Sequence, residues 1–489
     1  MSSGLRQRVV QPRTDLDHDK LVTLSEHAIL QPNSPFADAR DWGVEEDGDN
    51  DYSTELQNAI DELTAGHTDK AAGTTLILPP CDIHCNVDIR QNVSLQGSRG
   101  KDGTRSVLKP ATNNPVISML TTEDCINAGL YDLKIDGSTN KATWSAQHGI
   151  HMAPGDNAGG DGYSLDRFNM FRVSIVDCGG LGIYLDANGI DDGFIQRVFA
   201  WDVHVKNCRD LGLRIQGTVI ECMWLGLMLT SNGEKDTATG ALTIEHESGD
   251  ATSVPRRHTF LNAIINSGHQ TSGNTISLDG AAQCIFENMD LEKYVVGVNL
   301  GDNAYNLNNA IINSDFGGAP SATKLVEITQ CKGFRFVGNR VSDISGPTTG
   351  IDIVGTAKNC RRVFVDPTTA WGTVTTPILY PYLPLESDDT LDLRQYHGIV
   401  RVEWNAAATA AQDLDSIYDE TGAEDGLVDG MTITLVIYSA AHDIVVKDGT
   451  GNIVLAGSTD CTLGVRRHTL TLMWQEALAK WVEIARVDT

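Results

Sequence analysis

Positive charge is scarce in this chain. Its 489 residues carry 37 Lys and Arg against 65 Asp and Glu, a formal net charge of -28. A surface that acidic repels nucleic acid and anionic membrane, so neither is expected as a partner. Self-repulsion of that size is eased where salt screens it, which predicts a high-salt source. Long apolar runs are missing as well. No stretch approaches the length of a membrane span, and the start, Met1-Ser2-Ser3-Gly4-Leu5-Arg6-Gln7-Arg8, lacks the apolar core of a secretory signal. Membrane insertion and Sec export are therefore not expected. Walker, Rossmann and nucleophile-elbow motifs are absent, and no group of Asp residues has calcium-loop spacing. No cofactor and no metal is expected.

What is present is ordinary globular content, 41% hydrophobic and 21% charged, in a chain with room for two or three domains. The segment from Asp41 to Pro110 organises the rest. Asp41-Trp42-Gly43-Val44 and Asp47-Gly48-Asp49-Asn50-Asp51 precede a stretch in which Leu56, Ala59, Ile60 and Leu63 make one apolar helical stripe. Asp51 or Ser53 can cap that helix, Glu55 suits its positive first turn, and Gly66 supplies a left-handed stop. Gly73-Thr74-Thr75-Leu76-Ile77-Leu78-Pro79-Pro80 and Asn92-Val93-Ser94-Leu95-Gln96-Gly97 follow as short strands of period two.

This order resembles the N-terminal signature of the pectate-lyase-like right-handed parallel β-helix superfamily, which includes many phage tailspikes and surface depolymerases. The resemblance implies a right-handed parallel β-helix with a short N-terminal capping helix. Because the superfamily spans lyases, hydrolases, epimerases and inert adhesins, it implies fold more than activity.

Expected boundaries are an N-terminal arm over 1–36, the β-helix over 37–365, a Pro- and Thr-rich linker over 366–388, and a C-terminal antiparallel β-sandwich over 389–489. Within the β-helix a repeat of roughly two dozen residues is expected. Its most literal copy is Asn262-Ala263-Ile264-Ile265-Asn266-Ser267, which returns as Asn309-Ala310-Ile311-Ile312-Asn313-Ser314 and reads as two coils. Most of the ten cysteines follow a polar residue at the start of a strand, as in Asp177-Cys178, Asn207-Cys208, Glu221-Cys222 and Gln283-Cys284. Stacked coils would make them a buried ladder of free thiols. Cys81 and Cys85, with His84 between, leave a bridge or a weak metal site open. In the C-terminal region, Lys447-Asp448-Gly449-Thr450-Gly451-Asn452 reads as a hairpin loop.

Two polar excursions, 142–167 and 231–258, break the repeat and frame a candidate groove. Hydrolysis of a glycosidic bond needs two carboxylates, and three pairs qualify: Glu245 with Glu247, Asp290 with Glu292, and Asp191 with Asp192. A lyase would instead need a cation beside a substrate carboxylate and a Lys, Arg or Tyr base. Glycan contacts are expected from Trp144, Tyr163, Arg214, Arg256 and Arg257, with Trp201 and Trp224 in the core.

The expectation that follows is a virion spike of a halophile's virus, released by lysis, that attaches to host surface polysaccharide or glycoprotein glycan and depolymerises it. The arm would dock on other virion proteins, and the family resemblance implies a homotrimer. The competing expectations are a free secreted polysaccharide lyase or glycoside hydrolase of a halophile, and a purely structural virion protein.

Overall fold

In the computed structural model, residues 36–354 are described except 47–49, 66–72, 102, 120, 139–140, 156–161, 188–192, 234–238, 247–252, 267–273, 293, 302–305, 318–321 and 342–348. Beyond them, 360–487 are described except 366–373, 375, 380–382, 385–389, 394–397, 404–411, 420–426, 428, 438–442 and 465–467. Residues 1–35 of the expected arm, Gly66, Glu247, Asp191 and Asp192 lie outside the described residues.

Three long parallel sheets, of 12, 10 and 11 strands, run the length of a β-helix. Each coil contributes one short strand to each sheet. The coil containing Asn169–Phe171, Ser174–Val176 and Ile183–Ala187 stacks directly on that containing Phe199–Trp201, His204–Lys206 and Leu213–Gly217. Alternation within three-residue strands sends Ile175, Val205 and Leu229 inward and their neighbours outward. Inward positions meet their equivalents one coil away. Phe260 stacks on Phe286 with ring centroids 4.7 Å apart and planes at 5°, and Trp224 lies 6.0 Å from Phe260 in the same column. Trp224 is fully buried as expected, whereas Trp201 points outward and rests edge-on against Phe171, 5.0 Å away. A single-residue strand phase decides between them: Ala200, not Trp201, takes the inward place.

The corners are built from polar residues in the left-handed region. Asp132, Arg172, Asp202, Asn262, Asn288 and Asn313 all have φ of 50 to 54°. They turn the chain from the first sheet to the second without a glycine. Such a conformation costs an L-residue about 1–2 kcal/mol, which side-chain bonds along the corner offset. Asn288 Nδ2 donates to Asn262 Oδ1 at 2.6 Å, and Arg172 donates to Asp132.

This corner chemistry corrects the reading of the literal repeat. Ile264–Asn266 belongs to the second sheet, whereas Ala310–Ile312 belongs to the first, above Ile285–Glu287. The two copies are not the same position two coils apart. An Asn-rich turn followed by alternating Ile serves either corner, so identical words occur at different phases of the coil.

Asp177, Asn207, Glu221 and Gln283, each just before a cysteine, also have positive φ. The nine described cysteines are free, and all but Cys81 are buried. The expected single thiol ladder is divided between corners: Cys178 and Cys208 stack at the turn after the second sheet, while Cys222 and Cys284 flank His258 before the first. Burial pushes the thiols of Cys222 and Cys284 up to about 12, which keeps them protonated and unreactive. Cys81 Sγ lies 3.7 Å from the Glu45 carbonyl. No group of three metal-ligating side chains gathers among the described residues.

Helix α1, Ser53–Ala65, closes the N-terminal end of the stack. Leu56, Ala59 and Ile60 are buried, and Leu63 packs partly buried against the same core. Asp51 caps the helix by accepting from the Ser53 amide at 2.9 Å. The helix also shields an open strand edge. Gln57 Oε1 accepts from the Asp88 amide at 2.8 Å, and its Nε2 donates to the Asp88 carbonyl at 3.2 Å, on the first strand of the third sheet.

Thr376–Leu379, inside the stretch expected as linker, is hydrogen-bonded as the last strand of the third sheet. The C-terminal region is β-sandwich-like, with a six-stranded sheet and smaller sheets of three and two strands. Its pairing is mixed. Thr432–Ile437, Thr469–Gln475 and Lys480–Val487 are antiparallel neighbours, but Gly398–Glu403 runs parallel to Thr432–Ile437. The expected hairpin at Lys447 to Asn452 is instead a crossing between sheets. Ile444–Val446 pairs with Cys461–Leu463, while Ile453–Val454 pairs with Lys480–Val487. The buried Asn452 amide anchors that crossing, donating to the Ile417 carbonyl at 2.7 Å and accepting from its amide at 2.8 Å.

Candidate functional site

Among the described residues, the outer face of the third sheet carries the richest chemistry. One row of outward side chains lies in register along it: Asp88, Ser118, His151, Tyr184, Arg214, Thr243, Ser277 and Asn299. Two residues further along each strand runs a second row, Asp186, Gln216, Glu245 and Asp279. Alternation puts both rows outside, because Ile183, Leu185, Leu213, Ile215, Leu242 and Ile244 fill the inside.

The strands enter this sheet through Gly149, Gly182 and Gly212, stacked over one another. A Cβ on Gly182 would lie 2.2 Å from Val205 Cγ1 and 2.7 Å from the Gly212 carbonyl oxygen. Only glycine lets successive coils approach closely here.

Side chains along the rows hold one another. His151 stacks on Tyr184 with centroids 4.7 Å apart and planes at 6°, and the Arg214 guanidinium sits 5.2 Å from the other ring's centroid, that of Tyr184. Tyr184 Oη donates to Gln216 Oε1 at 2.6 Å. His151 Nε2 is 3.6 Å from Asp186 Oδ2. Arg214 Nε donates to Glu245 Oε1 at 2.7 Å, and Nη2 donates to the same oxygen. Burial opposes the Arg214 charge, but Glu245 outweighs it and raises the guanidinium pKa. Burial raises that of the Tyr184 hydroxyl, helped by the charge of Asp186. Behind them His148 is pushed down to about 4, first by burial and then by His151 and Arg214. Its Nδ1 accepts from the Leu181 amide at 2.9 Å, which defines a neutral ring protonated on Nε2.

Toward the capping helix the row opens into a cavity of about 380 Å³, walled by Asn86, Asp88, Asn114, Ser118, Thr121 and His151. The site thus lies along the coil axis, a floor of polar side chains spaced by the coil rise of about 4.8 Å.

The sequence-derived residues divide between places. Glu245 and Arg214 belong to this site as an ion pair. Asp290 and Glu292 flank the buried Leu291 on the outer face of the second sheet, so their alternation is as expected, but they stand on a different wall. There Asp290 is in register with Asp315, which pairs with Arg340, beside a cavity of about 460 Å³ that also includes Asn262, Asn288 and Asn313. Arg256 and Arg257 are exposed at the corner before the first sheet, where Arg257 bonds Glu221 at 2.8 Å. Trp144 and Tyr163 are half-buried rather than exposed. The Trp144 carbonyl lies over Gly179, and the Tyr163 amide donates to the Gly155 carbonyl.

Residue-by-residue reading of acids missed His151, Tyr184, Asp186 and Gln216. A signal exists. Gly182-Ile183-Tyr184-Leu185-Asp186 and Gly212-Leu213-Arg214-Ile215-Gln216 share one pattern of glycine, apolar, polar, apolar, polar. Superposing those two words aligns the outward residues.

No protein-family model and no curated protein matches the chain. Solved structures do. The A-module of mannuronan C-5 epimerase AlgE4 from Azotobacter vinelandii is 16% identical, with 71% of this chain and 98% of that one covered, at a TM-score of 0.47. Polygalacturonase from Erwinia carotovora ssp. carotovora is 11% identical over 71% of this chain and 98% of that one, at 0.44. Tailspike protein 2 of the Escherichia coli O157:H7 bacteriophage CAB120 is 11% identical, with 71% of this chain and 46% of that one covered, at 0.50. The likeness to tailspike protein 2, at a TM-score of 0.50, bears on the fold alone and agrees with the parallel β-helix described above.

Proposed function

We propose that this chain is a tailspike-like virion spike that binds host surface glycan along its third sheet and hydrolyses it with inversion. The observation that carries the reading is the row Asp186, Gln216, Glu245. Its two carboxylates stand two coils apart, about 9.6 Å between Cα atoms. That spacing lies close to the upper end of the roughly 6.5–9.5 Å between carboxyl groups that inverting glycosidases use. Each has its own basic partner, His151 for Asp186 and Arg214 for Glu245.

In this reading Asp186 is the general acid, passing a proton to the glycosidic oxygen as the bond to the anomeric carbon breaks. A water over Gln216 attacks that carbon from the opposite face and gives its proton to Glu245. Both bonds from Arg214 go to Oε1, which orients Oε2 toward that water. Tyr184, held by His151 and Gln216, braces the floor between them.

A second reading, β-elimination, is favoured by the Arg214 guanidinium over Tyr184, the cation and phenol that a lyase needs. The products separate the two. Host surface polysaccharide incubated with the protein would yield saturated reducing ends of inverted anomeric configuration under hydrolysis, and unsaturated ends under elimination. Unchanged polysaccharide would overturn both and leave an adhesin or a structural spike.

Virion placement through the N-terminal arm, a halophilic source and a homotrimer complete the proposal. Single-chain mass in molar salt would refute the trimer, and absence of the chain from purified particles would refute the virion role.

A further inference from the structure

Beyond Arg214 the outward row continues as Thr243, Ser277 and Asn299, two hydroxyls and an amide on three successive coils. Two of the three carry unmet hydrogen-bonding capacity. Thr243 is 5% exposed, and its Oγ1 has no hydrogen-bond partner; Asn299 Oδ1 is likewise buried and unpartnered. A buried polar atom without a partner costs free energy and is uncommon in a folded protein, so each such atom calls for an explanation. A ligand hydroxyl supplies one.

Charge around the stretch narrows the ligand. Glu245 and Asp279 flank it in the neighbouring row, and Glu327 and Asp352 continue its own row. The nearby cations are already committed, Arg214 to Glu245 and Lys324 to both Glu327 and Asp352. A carboxylate placed on Ser277 would meet acids on both sides with no uncommitted cation among these neighbours.

We propose that Thr243, Ser277 and Asn299 form an extended subsite for uncharged, hydroxyl-rich sugar residues, continuing the substrate chain along the coil axis from the cleavage site. This rests on reading the third sheet as a glycan groove. The substrate class is then a neutral polysaccharide, not a polyuronate. Thr243 Oγ1 and Asn299 Oδ1 accept from sugar hydroxyls, and Ser277 both donates and accepts.

The test uses the full chain and two oligosaccharide pools: neutral fragments of 1,4-linked mannan, galactan and glucan, and the same fragments with primary hydroxyls oxidised to carboxylates. Binding is read by saturation-transfer magnetic resonance and by titration. The neutral pool is expected to bind and the oxidised pool to bind at least about tenfold more weakly, one lost hydrogen-bonded contact corresponding to about that factor. Thr243→Val and Asn299→Leu should each weaken neutral binding about tenfold, while Thr243→Ser, which keeps the hydroxyl, restores it. Equal or stronger binding of the oxidised pool, no binding of the neutral pool, or full binding by folded Thr243→Val would overturn the proposal. Asp186→Asn separates it from the hydrolysis reading. Neutral binding that persists in this variant while cleavage stops supports both, and neutral binding by a wild-type chain that cleaves nothing sinks only the hydrolysis.

Discussion

The outer faces of the second and third sheets are built on the same coils, and both gather acids, yet they arrange them differently. On the second sheet Asp290 faces Asp315 in the next coil with Glu292 beside it, and the basic partner in register is Arg340, whose side chain is 66% exposed. Burial and the charges of Glu292 and Asp315 raise the Asp290 pKa. On the third sheet acids also meet in register, Glu245 with Asp279 and Glu327 with Asp352, but cations stand among them: Arg214 pairs with Glu245, Lys324 with Glu327 and Asp352, and both Arg214 and His151 are partly buried. A crowded acid patch is mutually repulsive surface. Carboxylates spaced two coils apart, each with a partner, leave room for a substrate between them. Register decides which arrangement results, because one residue of offset in a coil changes which side chains become neighbours.

The comparison would be broken most directly by activity. Asp186→Asn and Glu245→Gln are expected to lower glycan cleavage by about 10²–10⁴-fold, the usual worth of a positioned acid or base. Asp290→Asn and Glu292→Gln are expected to leave the rate unchanged. Loss of cleavage in the second-sheet variants alone would move the site to that wall.

Acid titration sharpens it next, with opposite signs on the two faces. His148, behind the third sheet, falls from an ordinary 6.5 to about 4 in the folded chain. Its contribution is therefore complete above pH 6.5 and is lost as pH drops toward 4, on the order of 3 kcal/mol. Asp290 is raised, so its repulsion with its neighbours is relieved as pH falls and stability is gained there. Urea midpoints measured across this window should fall less steeply in His148→Asn than in the parent, and Asp290→Asn should stabilise the chain at neutral pH. A His148→Asn profile identical to the parent's would refute the first sign.

A smaller contrast lies in the two arginines. Arg214→Ala leaves Glu245 partly buried without its partner and should cost about 1–3 kcal/mol by denaturant unfolding. Arg340→Ala, on the open surface, should leave the midpoint where it was. A last contrast lies at the shared corner, where Asn288→Ala loses the bond to Asn262 and keeps a strained left-handed backbone, costing about 1–2 kcal/mol. Asn288→Gly should cost less, since glycine adopts that backbone without strain.

Much of the solenoid was legible before any coordinate. The apolar stripe of α1, its Asp51 cap, the short strands of period two and the polar residues before cysteines are local patterns, and local sterics and burial decide them. Even Glu245 and Arg214 could be singled out as candidates, one as an acid on an alternating strand and the other as a basic residue downstream. Their partnership could not, since they lie 31 positions apart and meet only through coil stacking. The same holds for His151 with Tyr184 and for Asp186 with Glu245.

Where local words repeated, they misled. Asn-Ala-Ile-Ile-Asn-Ser fits two different corners because both need a turn followed by alternation, and the loop from Lys447 to Asn452 has hairpin composition but joins two sheets. The amino-acid sequence determined that this chain forms short, glycine- and asparagine-turned strands that bury one face and must stack to do so. Only the tertiary structure decided which outward residues share a row, because the length of each loop, which no periodicity records, sets the register of every coil on the next.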